Sequence, residues 1–125
     1  FMVLWYACSL YFGEDKVSFD LLISLNSGFV SQVCGSYLRK GGLLLANNEH
    51  YDASRAYVDQ KFELIGVFET ANKYVNSKQI IHSYFLTTKA RPITLEMVNE
   101  NSQKAPSKAR YKLMKKAVSY IFKRL

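Results

Sequence analysis

SFDLLISLNSG occupies residues 18–28, where an unbroken apolar run from Leu21 to Leu25 stops at Asn26-Ser27-Gly28. Continuous apolar residues without alternation predict a strand covered on both faces, as in the middle of a parallel sheet. The polar residues that end it have two readings. They form a turn in which Ser27 caps the next helix, or they line a ligand site at the carboxyl end of a buried strand. The two are compatible.

Outward from this run, FMVLWYAC (1–8) is aromatic and branched, as a buried strand is, although so short an apolar run also fits a helix. SLYFGEDKVS follows as a loop. Gly28 to Lys40 has an apolar stripe at helical spacing, basic residues in its last turn, and Gly41-Gly42 as its stop. LLLAN (43–47) is a short strand, and Asp52 is the candidate N-cap of a second helix with Ala53, Ala56 and Tyr57 inward. FELIGVF (62–68) and QIIHSYFLTT (79–88) then read as two strands with no helix between them, which predicts a long antiparallel hairpin. A Pro-containing link and a polar stretch lead to a final helix from about Ser107. The predicted class is α/β, a mostly parallel sheet with helices on both faces and an antiparallel pair at its close.

At 125 residues, 49% apolar and 22% charged, the chain supports one domain with a core and argues against disorder. The block Phe1 to Phe12 is too short to span a bilayer, which takes roughly 20 apolar residues. It also lacks a signal-peptide leader. The chain starts at Phe with Met second, and so is expected to continue upstream. Cys8 and Cys34 are too few for a disulfide scaffold and do not form a CxxC pair. They read as small buried apolar residues in a reducing compartment, hence a cytoplasmic location. Two histidines, His50 and His82, leave little for a zinc site, and no metal is expected.

The net charge of +7 is uneven. Residues 1–100 carry nine basic and ten acidic residues, whereas residues 101–125 carry eight basic residues and no acid. The basicity therefore belongs to the C-terminal segment, and residues 91–125 read as a basic extension to a domain of residues 1–90.

Two stretches resemble the class I S-adenosylmethionine-dependent methyltransferases, a Rossmann-like family. That family carries A-x-x-L-P-F, a few polar residues, then S-F-D and two apolar residues. Here Ala7 to Phe12 read ACSLYF, with Tyr11 in place of proline, and Ser18-Phe19-Asp20-Leu21-Leu22 follow. The family then has Y-L-K-P-G-G before an apolar strand, matched by Tyr37-Leu38-Arg39-Lys40-Gly41-Gly42 and Leu43 to Leu45. It also closes its sheet with an antiparallel hairpin. The resemblance covers about residues 1–88 and corresponds to the C-terminal half of that fold. No G-x-G-x-G loop follows a strand, and the acidic residue that grips the ribose is absent. Either both lie upstream of Phe1 or the cofactor has been lost.

The resemblance implies S-adenosylmethionine as cofactor, with Ala7, Cys8, Ser9 and Leu25 beside it. It places Asn26 and Ser27 beneath the transferring methyl group. Residues Asn47 to His50 then face an acceptor of unknown identity. The Asn26 amide both donates and accepts, and His50 titrates near neutrality, as a general base must. The plain reading of His50 is an exposed loop histidine, and of His82 a satisfied structural residue in a strand. Glu49 and Asp52 read as exposed or capping. No Asp/Asn-Pro-Pro-Tyr/Phe motif is present, which argues against methylation of a base amino group.

At the C-terminus, Met114, Ala117/Val118, Ile121/Phe122 and Leu125 recur at helical spacing, with Lys112, Lys115, Lys116 and Lys123 mostly off the stripe. Such a helix docks one face and presents the other to phosphates through Lys108, Lys112, Lys115 and Lys116. A solvated basic face, or a helix lying on a membrane surface, uses the same pattern. Two functions follow: methyl transfer to an unidentified acceptor, or a non-catalytic module that binds nucleic acid or a partner. A sheet that begins at Phe1 also leaves an edge for upstream residues, a partner chain or a second copy to cover.

Overall fold

The computed structural model describes residues 19–26, 31, 34–102 and 111–125. Its strands are β1 (Phe19–Ser24), β2 (Leu38–Ala46), β3 (Phe62–Thr70), β4 (Lys73–Val75) and β5 (Ser119–Arg124). Its helices are α1 (Asp52–Val58), α2 (Lys78–Ile81), which runs on into a 3-10 turn at His82–Phe85, and α3 (Leu95–Ser102). The strands form one open sheet in the order β1-β2-β5-β3-β4. Only β1 and β2 are parallel, and the other three pairs are antiparallel.

The Rossmann-like, mostly parallel sheet expected from the sequence is therefore not formed. The reason lies in two segments whose roles are exchanged. QIIHSYFLTT does not pair with FELIGVF; it forms α2 and the 3-10 turn, burying Ile81, Tyr84 and Phe85 at helical intervals of three and four. The expected C-terminal helix is instead β5 over residues 119–124, with Tyr120 and Phe122 buried two apart and Lys123 exposed. Strand β5 lies between β2 and β3 and bonds both. Residues 119–124 are thus part of the sheet's centre.

Strands β1, β2 and β3 all run opposite to β5, so β5 satisfies two edges at once. Along β3 the inward positions change parity, from Phe62 and Leu64 to Val67, because a bulge between Leu64 and Gly66 inserts an extra residue. The core is aromatic at its centre. Phe85 stacks on Tyr57 at 4.2 Å and meets Tyr120 at 4.8 Å, and Phe62 contacts Phe122 edge-on at 6.5 Å. Ala53 and Ala56 of α1 and Val98 of α3 join the same core.

Strand β1 is the outer strand of the described sheet, and its residues alternate: Leu22 and Ser24 are buried while Leu21 is exposed. The expected burial of both faces of this strand does not hold. The helix expected over 28–40 is cut short as well. Among its described residues, Ser31 and Cys34 are helical, Gly35–Tyr37 is a 3-10 turn, and β2 has begun by Leu38. Cys34 is buried and disulfide-bonded, not a free thiol. That removes the argument for a reducing compartment. No helix among the described residues is long and apolar enough to cross a membrane.

Gly41-Gly42 is a bulge in β2 rather than a helix cap. Between the pairs Phe19↔Leu38 and Leu21↔Leu43, β1 advances two residues while β2 advances five. Gly41 takes up the excess at φ +83°, where other residues are strained. A Cβ on Gly42 would sit 2.9 Å from the Arg39 carbonyl oxygen and 3.1 Å from that of Asp20. Neither backbone atom can swing aside. Gly42→Ala is expected to cost about 1–3 kcal/mol, read as a lower urea midpoint at unchanged slope.

Candidate functional site

The carboxyl ends of β1 and β2 are locked together by side chains. The ladder continues one step past the strands, with the Asn47 N–H donating to the Ser24 carbonyl at 3.2 Å. Asn26 then turns into the left-handed region at φ 57°, which asparagine tolerates better than most residues. Its N–H donates to Asn47 Oδ1 at 3.1 Å, and Asn47 Nδ2 donates back to Asn26 Oδ1 at 2.8 Å. The two amides form a reciprocal clamp across the parallel pair.

Helix α1 starts without a side-chain cap, because its N-cap position is Tyr51, itself at φ 64°. The preceding turn supplies the missing acceptors. The Asn47 carbonyl takes the Ala53 N–H at 3.1 Å, and Asn48 Oδ1 takes the Ser54 N–H at 2.8 Å. Asp52 is freed to point back at β1, and it is 2% exposed. It accepts from Ser24 Oγ at 2.5 Å, from Ser31 Oγ, and from the Ser31 N–H at 3.2 Å. Burial raises its pKa above the ordinary carboxylate range, and those donors and Arg55 offset the rise only in part. The expectation that Asp52 is exposed or an N-cap is corrected: it is a buried latch that ties α1 to β1.

Beside this latch a cavity of about 610 Å³ opens between the β2–α1 turn and residues 111–118. Asn48, Ser54, Tyr111 and Tyr120 line its polar side, and Lys112, Lys115 and Lys116 line it opposite a single carboxylate, Glu49. Burial pushes the Tyr120 phenol up to about 12 and raises that of Tyr111, so both stay protonated at neutral pH and can donate. A second cavity of about 600 Å³ adjoins it, sharing Thr88, Tyr111 and Lys112.

Of the residues assigned from sequence, Asn26 lies at the expected strand end, with its carbonyl oxygen committed to the clamp. His50 is exposed in the turn before α1 and does not line the cavity. Ala7, Cys8, Ser9, Ser27 and Lys108 lie outside the described residues, and Leu25 directly follows β1. Lys112, Lys115 and Lys116 are exposed, but on an irregular segment and not on a helix. Lys115 is held in place: its Nζ donates to Ser83 Oγ at 2.8 Å and lies 5.2 Å from the centre of the Tyr84 ring. His82 is exposed and bonds the Tyr57 hydroxyl through Nδ1 at 2.9 Å, so it is not a strand residue. Sequence reasoning missed Ser54, Tyr111 and Tyr120, because nothing local marks Ser54 as a neighbour of residues so far along the chain.

Among the described residues no group of three His, Cys, Asp or Glu could hold a metal ion. The chain has no significant match to any family model, curated protein or solved structure.

Proposed function

We propose that this chain holds the acceptor in an S-adenosylmethionine-dependent methyl transfer. The observation that carries the reading is the Asn26–Asn47 clamp, which joins the carboxyl ends of two parallel strands beside a polar cavity. Open sheets with parallel strands hold ligands at that end. One further point supports it: the motif residues Phe19-Asp20 and Tyr37 to Leu45 lead into and form these two strands.

In such a reaction the protein positions the acceptor and excludes water. The Tyr111 and Tyr120 phenols, kept protonated, orient it as donors. The cofactor would bring the methyl group on a sulfonium. The 125 residues contain no glycine-rich loop to cradle it, and of the residues assigned to it only Leu25 is described.

Calorimetric titration with S-adenosylhomocysteine, of the chain together with any sequence upstream of Phe1, tests the reading. Saturable heat is expected, and Asn26→Gly, which keeps the left-handed turn but breaks the clamp that fixes the strand ends, should weaken it about tenfold. Absence of heat up to millimolar ligand would overturn it. A second reading, a non-catalytic module that binds nucleic acid, is favoured by one observation: Lys112, Lys115 and Lys116 stand exposed together around one cavity.

A further inference from the structure

Three of the residues that line the cavity beside the latch carry a buried polar atom without a well-formed hydrogen bond: Asn48 Nδ2, Ser54 Oγ and the Tyr111 hydroxyl. Ser54 is wholly buried. Tyr111 stands near enough to Ser54, and Tyr120 to Asn48, for each pair to interact, yet none of the three atoms closes a well-formed bond. Leaving such an atom unpaired costs about 1–3 kcal/mol. A cavity that gathers three of them is shaped for a polar occupant. Asn48 Nδ2 can only donate, so the occupant presents an acceptor there, and the two hydroxyls accept or donate as needed.

The charge at the mouth narrows the choice. Three lysines line the cavity against Glu49, and the adjoining cavity adds Lys89 and Arg91 with no carboxylate. Lys115 is already fixed by Ser83 and Tyr84, so less side-chain freedom is lost when it takes an anion. A volume of about 610 Å³ is that of a pocket for a small molecule.

We infer that this cavity binds a nucleotide-sized phosphomonoester, with its phosphate on Lys112, Lys115 and Lys116. A carbonyl or ring nitrogen of its body accepts from Asn48 Nδ2, and the Ser54 and Tyr111 hydroxyls complete the contacts. This names the acceptor class for the methyl-transfer reading and rests on it.

The test is calorimetry of the chain with adenosine and uridine monophosphates, the two nucleosides, and inorganic phosphate. At least one monophosphate should saturate the site, and its nucleoside should bind at least about tenfold more weakly, as expected for loss of charge-assisted bonds. Replacing Lys112, Lys115 and Lys116 together by Gln should cost at least tenfold, and Tyr111→Phe several-fold, with urea midpoints confirming that both variants fold. Equal binding of nucleotide and nucleoside, or no monophosphate heat, overturns the inference. So does an oligonucleotide that binds and is not displaced by the monophosphate, which would instead favour the nucleic-acid module. Heat from S-adenosylhomocysteine without heat from any monophosphate removes this inference and leaves methyl transfer standing. The reverse leaves a nucleotide site that is not an acceptor site.

Discussion

A chain ended at Lys116 loses its cooperative unfolding transition. The deleted residues include β5, which bonds β2 through Tyr120 to Lys123 and β3 through Ser119 to Arg124. Without it, two strand edges lose their partners inside the sheet, and each unpaired buried backbone group is costly. The core also loses Tyr120 and Phe122, which are 1% and 0% exposed. Truncating one buried Phe costs about 3–5 kcal/mol. Losing two such aromatics together therefore approaches the whole stability of a typical domain, about 5–15 kcal/mol. Phe122→Ala provides the graded version, expected to cost about 3–5 kcal/mol while keeping the fold. Urea titration followed by circular dichroism reads both. A truncated chain that still unfolds cooperatively with the parent's slope would show that β5 is an appendage after all.

Asp52→Ala is expected to cost about 2–4 kcal/mol, with the unfolding slope preserved. The carboxyl receives three donated hydrogen bonds from Ser24 and Ser31, and both serines are themselves buried. Removing it leaves those donors unpaired in the interior, at about 1–3 kcal/mol each before relaxation. The pH dependence has a definite sign. Because burial raises the folded-state pKa of Asp52, the native protein binds that proton more tightly than the unfolded chain does. Its contribution to stability is complete below the unfolded carboxylate value and is lost as pH rises through the folded value. Asp52→Asn cannot titrate, so the parent should lose stability relative to this variant between acid and neutral pH. Urea midpoints of the two proteins from pH 4 to 8 measure the difference. A parent that gains on Asp52→Asn as pH rises would mean that the serine donors outweigh burial.

Much of the framework was legible locally. FDLLIS, LLLA and FELIGVF are strands near their expected positions, and the first two pair in parallel. The helix after Tyr51 was also expected, since its small residues Ala53 and Ala56 face the core. The strand-end asparagines were legible as the point where the first apolar run stops. Their clamp was not, because Asn26 and Asn47 lie 21 residues apart and meet only once the parallel pair forms.

By itself, then, the sequence determined which short segments are apolar enough to become core, and the turn chemistry that separates them. It left two segments degenerate. In QIIHSYF the inward residues fit a helix, yet branched and aromatic side chains also suit a strand; in AVSYIFKR the reverse holds, since Ala117, Ile121 and Phe122 lie at helical spacing too. Tertiary structure decided both. Strands β2 and β3 run the same way and stand one strand apart, and only an antiparallel segment with period-two burial satisfies both facing edges. Residues 119–124 take that place, while Ile81, Tyr84 and Phe85 cover the sheet as a helical turn. The same closure brings Tyr111 and Tyr120 against Asn48 and Ser54 to create the polar cavity, which no local pattern could announce.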